Sequence, residues 1–443
     1  MRFHAGRGAR PKDNRSLEYS DLENGNNAAF SDALRVPNIS RRVFVGGSLA
    51  IGATVALPRR AWAATATVPL ANFYSSIGLN AHSWYNNSIW PQRLLDLGIL
   101  NIRGKVGQST SVVQKLQTFF SNGGKINTGI VQSTNGTLDK TGAQKSLNFL
   151  KTNVGLQHIS GIEGPNEFNN GEPPNWANTL RDFTHWLHDT VRADSAFNPI
   201  PLIAPSIWKR ILADYQALGD VSQWVDKGCI HYYSGGQRPT TSGTDTMTAA
   251  LGNVSIIAPG KTIWMTETGW QAPSGNWPIS LRAQAKYVLR DYFDAFGFGV
   301  EKLFMYQLMD DQTSLFGLCD AAGNPKPAYN GLKNLVALVK DQTASRASIG
   351  FSVNGAPSSL KTFSFSKSDG TFLIALYLDV NSWDVSHQKD LEYAVPVTVN
   401  LTTSARQIDI YQPTFNSSVV SSTSGNSIPL FATDQVTLLK VRL

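Results

Sequence analysis

Two hydrophobic periods divide this chain. Between about residue 72 and residue 340, short apolar runs alternate with stretches whose apolar residues fall at three- and four-residue spacing. The first pattern predicts buried strands and the second amphipathic helices. Strands are predicted over 77–81, 100–106, 125–131, 158–162, 201–207, 229–233, 262–266 and 302–308. Helices are predicted behind them over 91–97, 112–120, 142–153, 176–193, 210–226, 246–258, 281–296 and 329–339. Eight strand–helix units in about 270 residues have the count and size of a (β/α)8 TIM barrel, an α/β fold. A doubly wound sheet fits less well, because no glycine-rich phosphate loop follows the first strand. After about Gln342 the period changes to two, over 362–366, 372–378, 395–401, 407–411 and 436–441, and Ser and Thr rise. That texture predicts a small all-β sandwich. The expected organisation is an N-terminal region over 1–63, a barrel over 64–343 and a sandwich over 344–443. A structural domain packed on the barrel is the simpler role for the sandwich; a carbohydrate-binding module is the other.

The first 40 residues are polar and poor in aliphatics, which predicts disorder. Ser40-Arg41-Arg42-Val43-Phe44-Val45 follows, then an apolar run to Leu57, Pro58-Arg59-Arg60 and Ala61-Trp62-Ala63. This segment resembles a twin-arginine export signal cleaved after Ala63. The apolar run is too short for a comfortable membrane span. The expected location is therefore periplasmic or secreted, with no stable membrane insertion after cleavage; an uncleaved anchor is the rival. The formal charge of +7 sits mostly here, since residues 1–63 hold 10 Lys+Arg against 5 Asp+Glu. The remainder is close to neutral, with no basic stripe and no nucleic-acid motif. Export permits a disulfide between Cys229 and Cys319, but their spacing does not establish one.

Two of the predicted barrel strands end in carboxylates. The run 158–162 stops at Gly164-Pro165, because proline cannot continue a central strand, and Asn166-Glu167 follow. Thr262-Ile263-Trp264-Met265-Thr266-Glu267 ends the same way. Strands four and seven lie on roughly opposite sides of an eight-strand barrel, so Glu167 and Glu267 can face each other across its mouth. Two facing carboxylates are what glycosidic bond cleavage requires. Glu163 and Glu172 compete for notice. Glu163 precedes the Gly-Pro break and reads as structural; Glu172 lies in a Gly/Pro/Asn-rich loop and reads as solvated or at the cleft rim. Nine of the 11 tryptophans fall between Trp84 and Trp277. Aromatic faces suit sugar C–H surfaces, though core packing uses them too. His82 and Trp84 after the first strand, Trp208 after the fifth and Trp270 after Glu267 stand by position at the mouth, for sugar contact or for packing. Asp310-Asp311 could bind a sugar hydroxyl or cap a loop. The histidines show no metal-ligand spacing and no cofactor motif is visible, so no metal and no cofactor are expected.

At this point the residues resemble the clan A retaining glycoside hydrolases, over about residues 77–329. In that clan the fourth strand ends in Asn-Glu and the seventh in Glu, as Asn166-Glu167 and Glu267 do here. The resemblance implies Glu167 as acid/base and Glu267 as nucleophile. It implies that His231 and Tyr233 form the clan's His-x-Tyr, with Tyr233 hydrogen-bonding the nucleophile, and that Arg103 keeps the nucleophile ionised. Glu167, facing that charge, is then expected to carry the proton, and Asn166 to bind the sugar 2-hydroxyl. One departure stands out: the clan's tryptophan at the end of strand eight is replaced by Tyr306-Gln307. A barrel followed by a small β-domain is similar to family thirty-nine and to some family-five-like enzymes. The expected function is an exported retaining hydrolase of a β-linked poly- or oligosaccharide. A non-catalytic glycan-binding or exopolysaccharide-secretion scaffold is the first alternative. A transglycosylase using the same residues is the second.

Overall fold

The computed structural model describes residues 66–82, 88–131, 136–171, 173–241, 245–311 and 314–443, with backbone alone at 133–134. The twin-arginine-type segment, Trp84 and Glu172 lie outside the described residues. Residues 60–443 form one compact unit. No helix among the described residues is long and apolar enough to cross a membrane.

Eight parallel strands build the central sheet: β1 Ile77–Asn80, β2 Asn101–Gly104, β3 Lys125–Gly129, β4 Ile159–Glu163, β5 Leu202–Ile203, β6 Gly228–His231, β7 Ile263–Thr268 and β8 Val300–Met305. They run in the order β5-β4-β3-β2-β1-β8-β7-β6. A parallel bridge between Ile203 and Lys227 joins the two ends, and the Ala204 N–H donates to the Lys227 carbonyl at 2.9 Å. The result is the TIM barrel that the alternation of strand and helix predicts. β1, β2 and β6 are buried at every position, and they carry Asn80, Asn101, Arg103 and His231 into that burial.

Eight helices follow the strands: α1 Trp90–Leu97, α2 Thr110–Ser121, α3 Lys140–Phe149, α4 Trp176–Arg192, α5 Leu212–Leu218, α6 Met247–Ile257, α7 Leu281–Gly297 and α8 Pro327–Val339. Their starts follow local chemistry. Asp139, Thr246 and Ser280 accept hydrogen bonds from the first-turn N–H groups of α3, α6 and α7. Proline opens α1 and α8, where its missing donor costs nothing.

The C-terminal strands are β9 Phe351–Asn354, β10 Leu360–Ser366, β11 Phe372–Leu378, β12 Ala394–Tyr411, β13 Val419–Thr433 and β14 Thr437–Arg442. Hydrogen bonds link them into one sheet in the order β10-β11-β14-β12-β9, with β13 also paired to β12. The sheet has its own apolar core, and the 18-residue β12 pairs with β9 through Thr398–Leu401 and with β14 through Gln407–Tyr411. The residue pair Val68–Pro69, which precedes the barrel, joins this sheet by pairing in parallel with β10, Val68 opposite Phe365.

The side chains of β11 sort by parity. Phe372, Ile374, Leu376 and Leu378 fill the sandwich core, while Leu373, Ala375 and Tyr377 face the barrel. Between β11 and the barrel lies α7, buried from Ala283 to Ala295 without a break. The Phe293 ring stacks on Phe73 at 4.4 Å, and Phe73 packs against Phe365 at 5.1 Å. Lys286 of α7 is fully buried and pairs with the fully buried Asp434 at 2.8 Å and with Glu392 at 2.9 Å.

Candidate active site

The C-terminal ends of the barrel strands converge on one guanidinium. Arg103 on β2 is buried to 8 % exposure and meets three elements at once. Its Nε and Nη2 donate to the two oxygens of Glu163 at 2.7 Å each, a bidentate pair. Its Nη1 donates to Glu267 Oε1 at 2.7 Å and to Asn80 Oδ1 at 3.0 Å, and its Nη2 also reaches Asn166 Oδ1 at 2.7 Å. Asn80 is itself fixed, because its amide donates to the carbonyls of Thr266 and Phe304 at 3.0 Å. Glu163, the last residue of β4, also accepts from Asn127 Nδ2 at 2.7 Å and Thr266 Oγ1 at 3.3 Å. These protein donors engage both of its oxygens, so it anchors Arg103 while also lining the cavity at the mouth.

Glu267 stands on β7 with both oxygens engaged: Arg103 holds one, and the Tyr233 hydroxyl donates to the other at 2.7 Å. Burial alone would push its carboxyl up. The His231 imidazole, the Arg103 guanidinium and the Tyr233 hydroxyl outweigh that and hold it down to about 2. Tyr233 is pushed well above its ordinary value by burial and by the Glu267 charge, so its hydroxyl stays a donor.

Glu167 follows β4 with a backbone φ of 46°. A glutamate in the left-handed region is held there by its surroundings. The Ser206 hydroxyl accepts its N–H at 3.0 Å, and its carbonyl accepts from Asn170 at 2.9 Å. Its side chain meets His231 Nδ1 at 2.7 Å, and the same nitrogen lies 3.5 Å from Glu267 Oε2. Burial lowers the pKa of His231, but Glu267 and Glu167 raise it, and the net is above its ordinary value. One oxygen of Glu167, one of Glu267 and a nitrogen of His231 all lie within 4.8 Å of one another. Such a triad could in principle hold a metal ion, but Arg103 and Tyr233 already occupy the two Glu267 oxygens.

A cavity of about 210 Å³ opens at this mouth, with His82, Arg103, Lys105, Asn166, Glu267 and Tyr306 among its lining residues. His82 is buried and held neutral, its pKa pushed down to about 3 chiefly by desolvation. Its ring meets Tyr306 edge-on at 5.3 Å. Tyr306 follows directly on the last residue of β8, and it also packs edge-on against Tyr233 and Phe316.

The structure thus brings Glu167, Glu267, Arg103, Asn166, His231, Tyr233, His82 and Tyr306 together. It does not bring Trp270, which is 1 % exposed, donates from Nε1 to the Gln237 carbonyl at 2.9 Å and packs on Tyr287. Strand β7 ends at Thr268, and the chain then turns this ring into the core. Trp208 is half-buried, with the Lys209 ammonium 4.0 Å from its ring. Asp310 is taken by Lys326 at 2.7 Å and caps the Gly317 N–H. Cys229 and Cys319 are both buried and free. Sequence reasoning missed Asn80, Asn127, Thr266, Ser206 and Lys105. A polar residue at the end of an apolar run was the signal for the first three.

No known protein-family model matches the sequence, and no curated protein matches it. Among solved structures, the chain is similar to the GH39 enzyme from Xanthomonas axonopodis pv. citri, at 13 % identity and a TM-score of 0.56, covering 87 % of this chain and 98 % of that one. It is similar to a glucosidase from Croceicoccus marinus, at 11 % identity and a TM-score of 0.57, covering 86 % and 99 %. It is also similar to a 4-O-α-L-rhamnosyl-β-D-glucuronidase from Fusarium oxysporum 12S, at 12 % identity and a TM-score of 0.51, covering 86 % and 99 %. At these identities the likeness is one of fold: a TIM barrel carrying a C-terminal β-domain.

Proposed function

We propose that this protein is a retaining glycoside hydrolase acting on a β-linked poly- or oligosaccharide. The observation that carries the proposal is the spacing of Glu167 and Glu267, whose nearest oxygens lie within 4.8 Å. Retaining enzymes need their two carboxyls about 5–5.5 Å apart, while inverting enzymes need room for a water between them. The names of the similar structures, which include a glucosidase and a glucuronidase, support the same class.

Glu267, kept ionised, is the nucleophile. It attacks the anomeric carbon, and the glycosidic oxygen leaves with the proton held on the Glu167–His231 pair. Water then attacks the glycosyl-enzyme, Glu167 takes its proton, and Glu267 is released. Arg103 already takes the Asn166 carbonyl oxygen, so the amide nitrogen is left to donate to the sugar 2-hydroxyl. The Tyr306 ring borders the cavity from the β8 side. Export through a twin-arginine-type signal completes the proposal; replacing Arg41-Arg42 with two lysines is expected to leave the protein in the cytoplasm, as fractionation would show.

Hydrolysis across a panel of β-linked glycans, with Glu267→Ala alongside, tests the activity. Cleavage that is lost in the variant supports the proposal and names the substrate. Cleavage that survives removes Glu267 from its role. Tight glycan binding without cleavage in either protein favours the scaffold alternative.

A further inference from the structure

We propose that Asp291 of α7 is a positioning residue for Glu267: through Thr268 it locks the bulge in β7 that turns the carboxylate into the mouth. This role presupposes the glycoside-hydrolase reading, in which Glu267 is the nucleophile, and deepens it by assigning a group that aims the nucleophile.

Strand β7 carries one residue more than its neighbours just where it reaches the site. Beside β6, Met265 stands opposite Ile230 and Glu267 opposite His231. Beside β8, Met265 stands opposite Leu303 and Thr268 opposite Met305. Both edges therefore skip one residue between Met265 and Thr268. In a regular strand, neighbouring side chains face opposite sides. Here Thr266 and Glu267 both face the barrel interior. The Thr266 hydroxyl meets Glu163 Oε1 at 3.3 Å and Cys229 Sγ at 3.1 Å, and Glu267 reaches Arg103 and Tyr233. A bulge re-aims a side chain in this way. Without it, Glu267 would point out toward the helices.

The bulge is pinned on two sides. From inside, the Asn80 amide donates to the Thr266 carbonyl at 3.0 Å. From outside, Thr268, the first residue after the bulge, donates its hydroxyl to Asp291 Oδ2 at 2.8 Å, and both residues are fully buried. Backbone bonds tie the strand sideways, from Tyr232 to the Glu267 carbonyl at 2.9 Å and from Tyr306 to the Thr268 carbonyl at 2.7 Å. The hydroxyl ties it to the helix behind.

A carboxyl is a costly group to bury at that point. Asp291 makes no other side-chain hydrogen bond among the described residues, and its Oδ1 is buried without a partner. The adjacent Arg290 turns to the sandwich, to the Val380 carbonyl at 2.9 Å and to Asp379 at 3.4 Å. Burial, and then Asp294, hold the Asp291 carboxyl well above the ordinary carboxylate range, so it stays uncharged. A leucine would be easier to bury there, but it would not hold Thr268.

The experiment compares the double variant Thr268→Val with Asp291→Leu, which replaces both partners by apolar groups of similar shape, with Asp291→Asn, which keeps a neutral group and an oxygen for the Thr268 hydroxyl. Melting temperature, kcat and KM are measured on a glycan that the unaltered protein cleaves. Replacing both partners is close to neutral for folding, so the melting temperature should hold. In the same variant kcat should fall about 10²-fold with KM little changed, the size expected when a reacting group shifts by about 1 Å. Asp291→Asn should keep most of the kcat. A double variant with unchanged kcat overturns the proposal, whether or not it melts earlier, and leaves the hydrolase standing if Glu267→Ala is inactive. A loss in Asp291→Asn as large as in the double variant overturns it as well. Should the double variant not fold, the isosteric Thr268→Val alone carries the same comparison. A second arm needs no turnover: crystal structures of the unaltered protein and of the variant. In the variant the Glu267 carboxylate should leave its 2.7 Å contacts with Arg103 and Tyr233. A carboxylate that keeps both contacts overturns the proposal. A displaced carboxylate in a protein that cleaves no glycan would retire the hydrolase and keep the aiming role of Asp291.

Discussion

At the scale of single residues, the proposed mechanism needs Glu267 ionised and a proton within reach of the leaving oxygen. Tyr233 helps keep Glu267 down at about 2, so Tyr233→Phe should raise that pKa toward the ordinary carboxylate range. Since the nucleophile must be ionised, the acidic limb of the kcat/KM–pH profile should move to higher pH; an unmoved limb would mean that the hydroxyl does not hold Glu267. Glu167→Gln should cost about 10²–10⁴ in kcat on natural glycans, the usual worth of a general acid. It should cost far less on aryl glycosides with acidic leaving groups, which depart without a proton. Equal losses on both would reassign the acid. Much of this site was legible before any coordinates, because carboxylates, Arg103 and Tyr233 stand at the ends of apolar runs, where a barrel puts its mouth. The fixing of Glu167 by Ser206 was not, since a contact between loops 39 residues apart leaves no trace in local pattern. The choice between sugar contact and packing for Trp270 stayed open for a related reason: adjacency to Glu267 says nothing about which way the chain turns after β7, and the structure packs the ring in the core.

At the scale of elements, α7 is where pattern and environment part. An amphipathic surface helix buries one stripe, whereas this helix is covered by the barrel on one side and by β11 on the other. It nevertheless carries Lys286, Arg290, Asp291 and Asp294 into that burial. Its spacing predicts a helix correctly, but only the second layer explains its charges. Lys286→Met should destabilise the protein by about 3–5 kcal/mol in denaturant titration, because Asp434 is left buried and charged without its partner. Replacing both, as Lys286→Met with Asp434→Leu, should recover most of that loss; a double variant no better than the single would mean that the pair supplies more than mutual neutralisation. In the sandwich, β11 coincides with the strand predicted over 372–378, although its residues form an unbroken apolar run and not an alternation, because both of its faces are covered. By contrast β13 is mostly solvent-exposed and rich in Ser, so no alternation marks it, and its pairing with β12 alone makes it a strand.

At the scale of the whole molecule, the β-domain and the barrel share one apolar core. Cutting the chain after residue 343 would uncover Phe293, Phe296 and the outer face of α7. The barrel alone should then be recovered as aggregate rather than as soluble monomer, as soluble yield and gel filtration would show. A monodisperse truncated barrel that unfolds cooperatively would refute this. The partition into barrel and sandwich could be inferred from the switch of period near Gln342, but the attachment of Val68–Pro69 to β10 could not, since two residues carry no period. That attachment has a consequence for how the chain is made. Residues that leave the ribosome near the beginning wait for a neighbour that emerges almost 300 residues later, after all eight barrel strands. Pairing across so long an interval is slow and leaves apolar surface uncovered meanwhile. The nascent barrel is therefore an unfinished object for most of its synthesis, and the first strand among the described residues is one of the last to find its place.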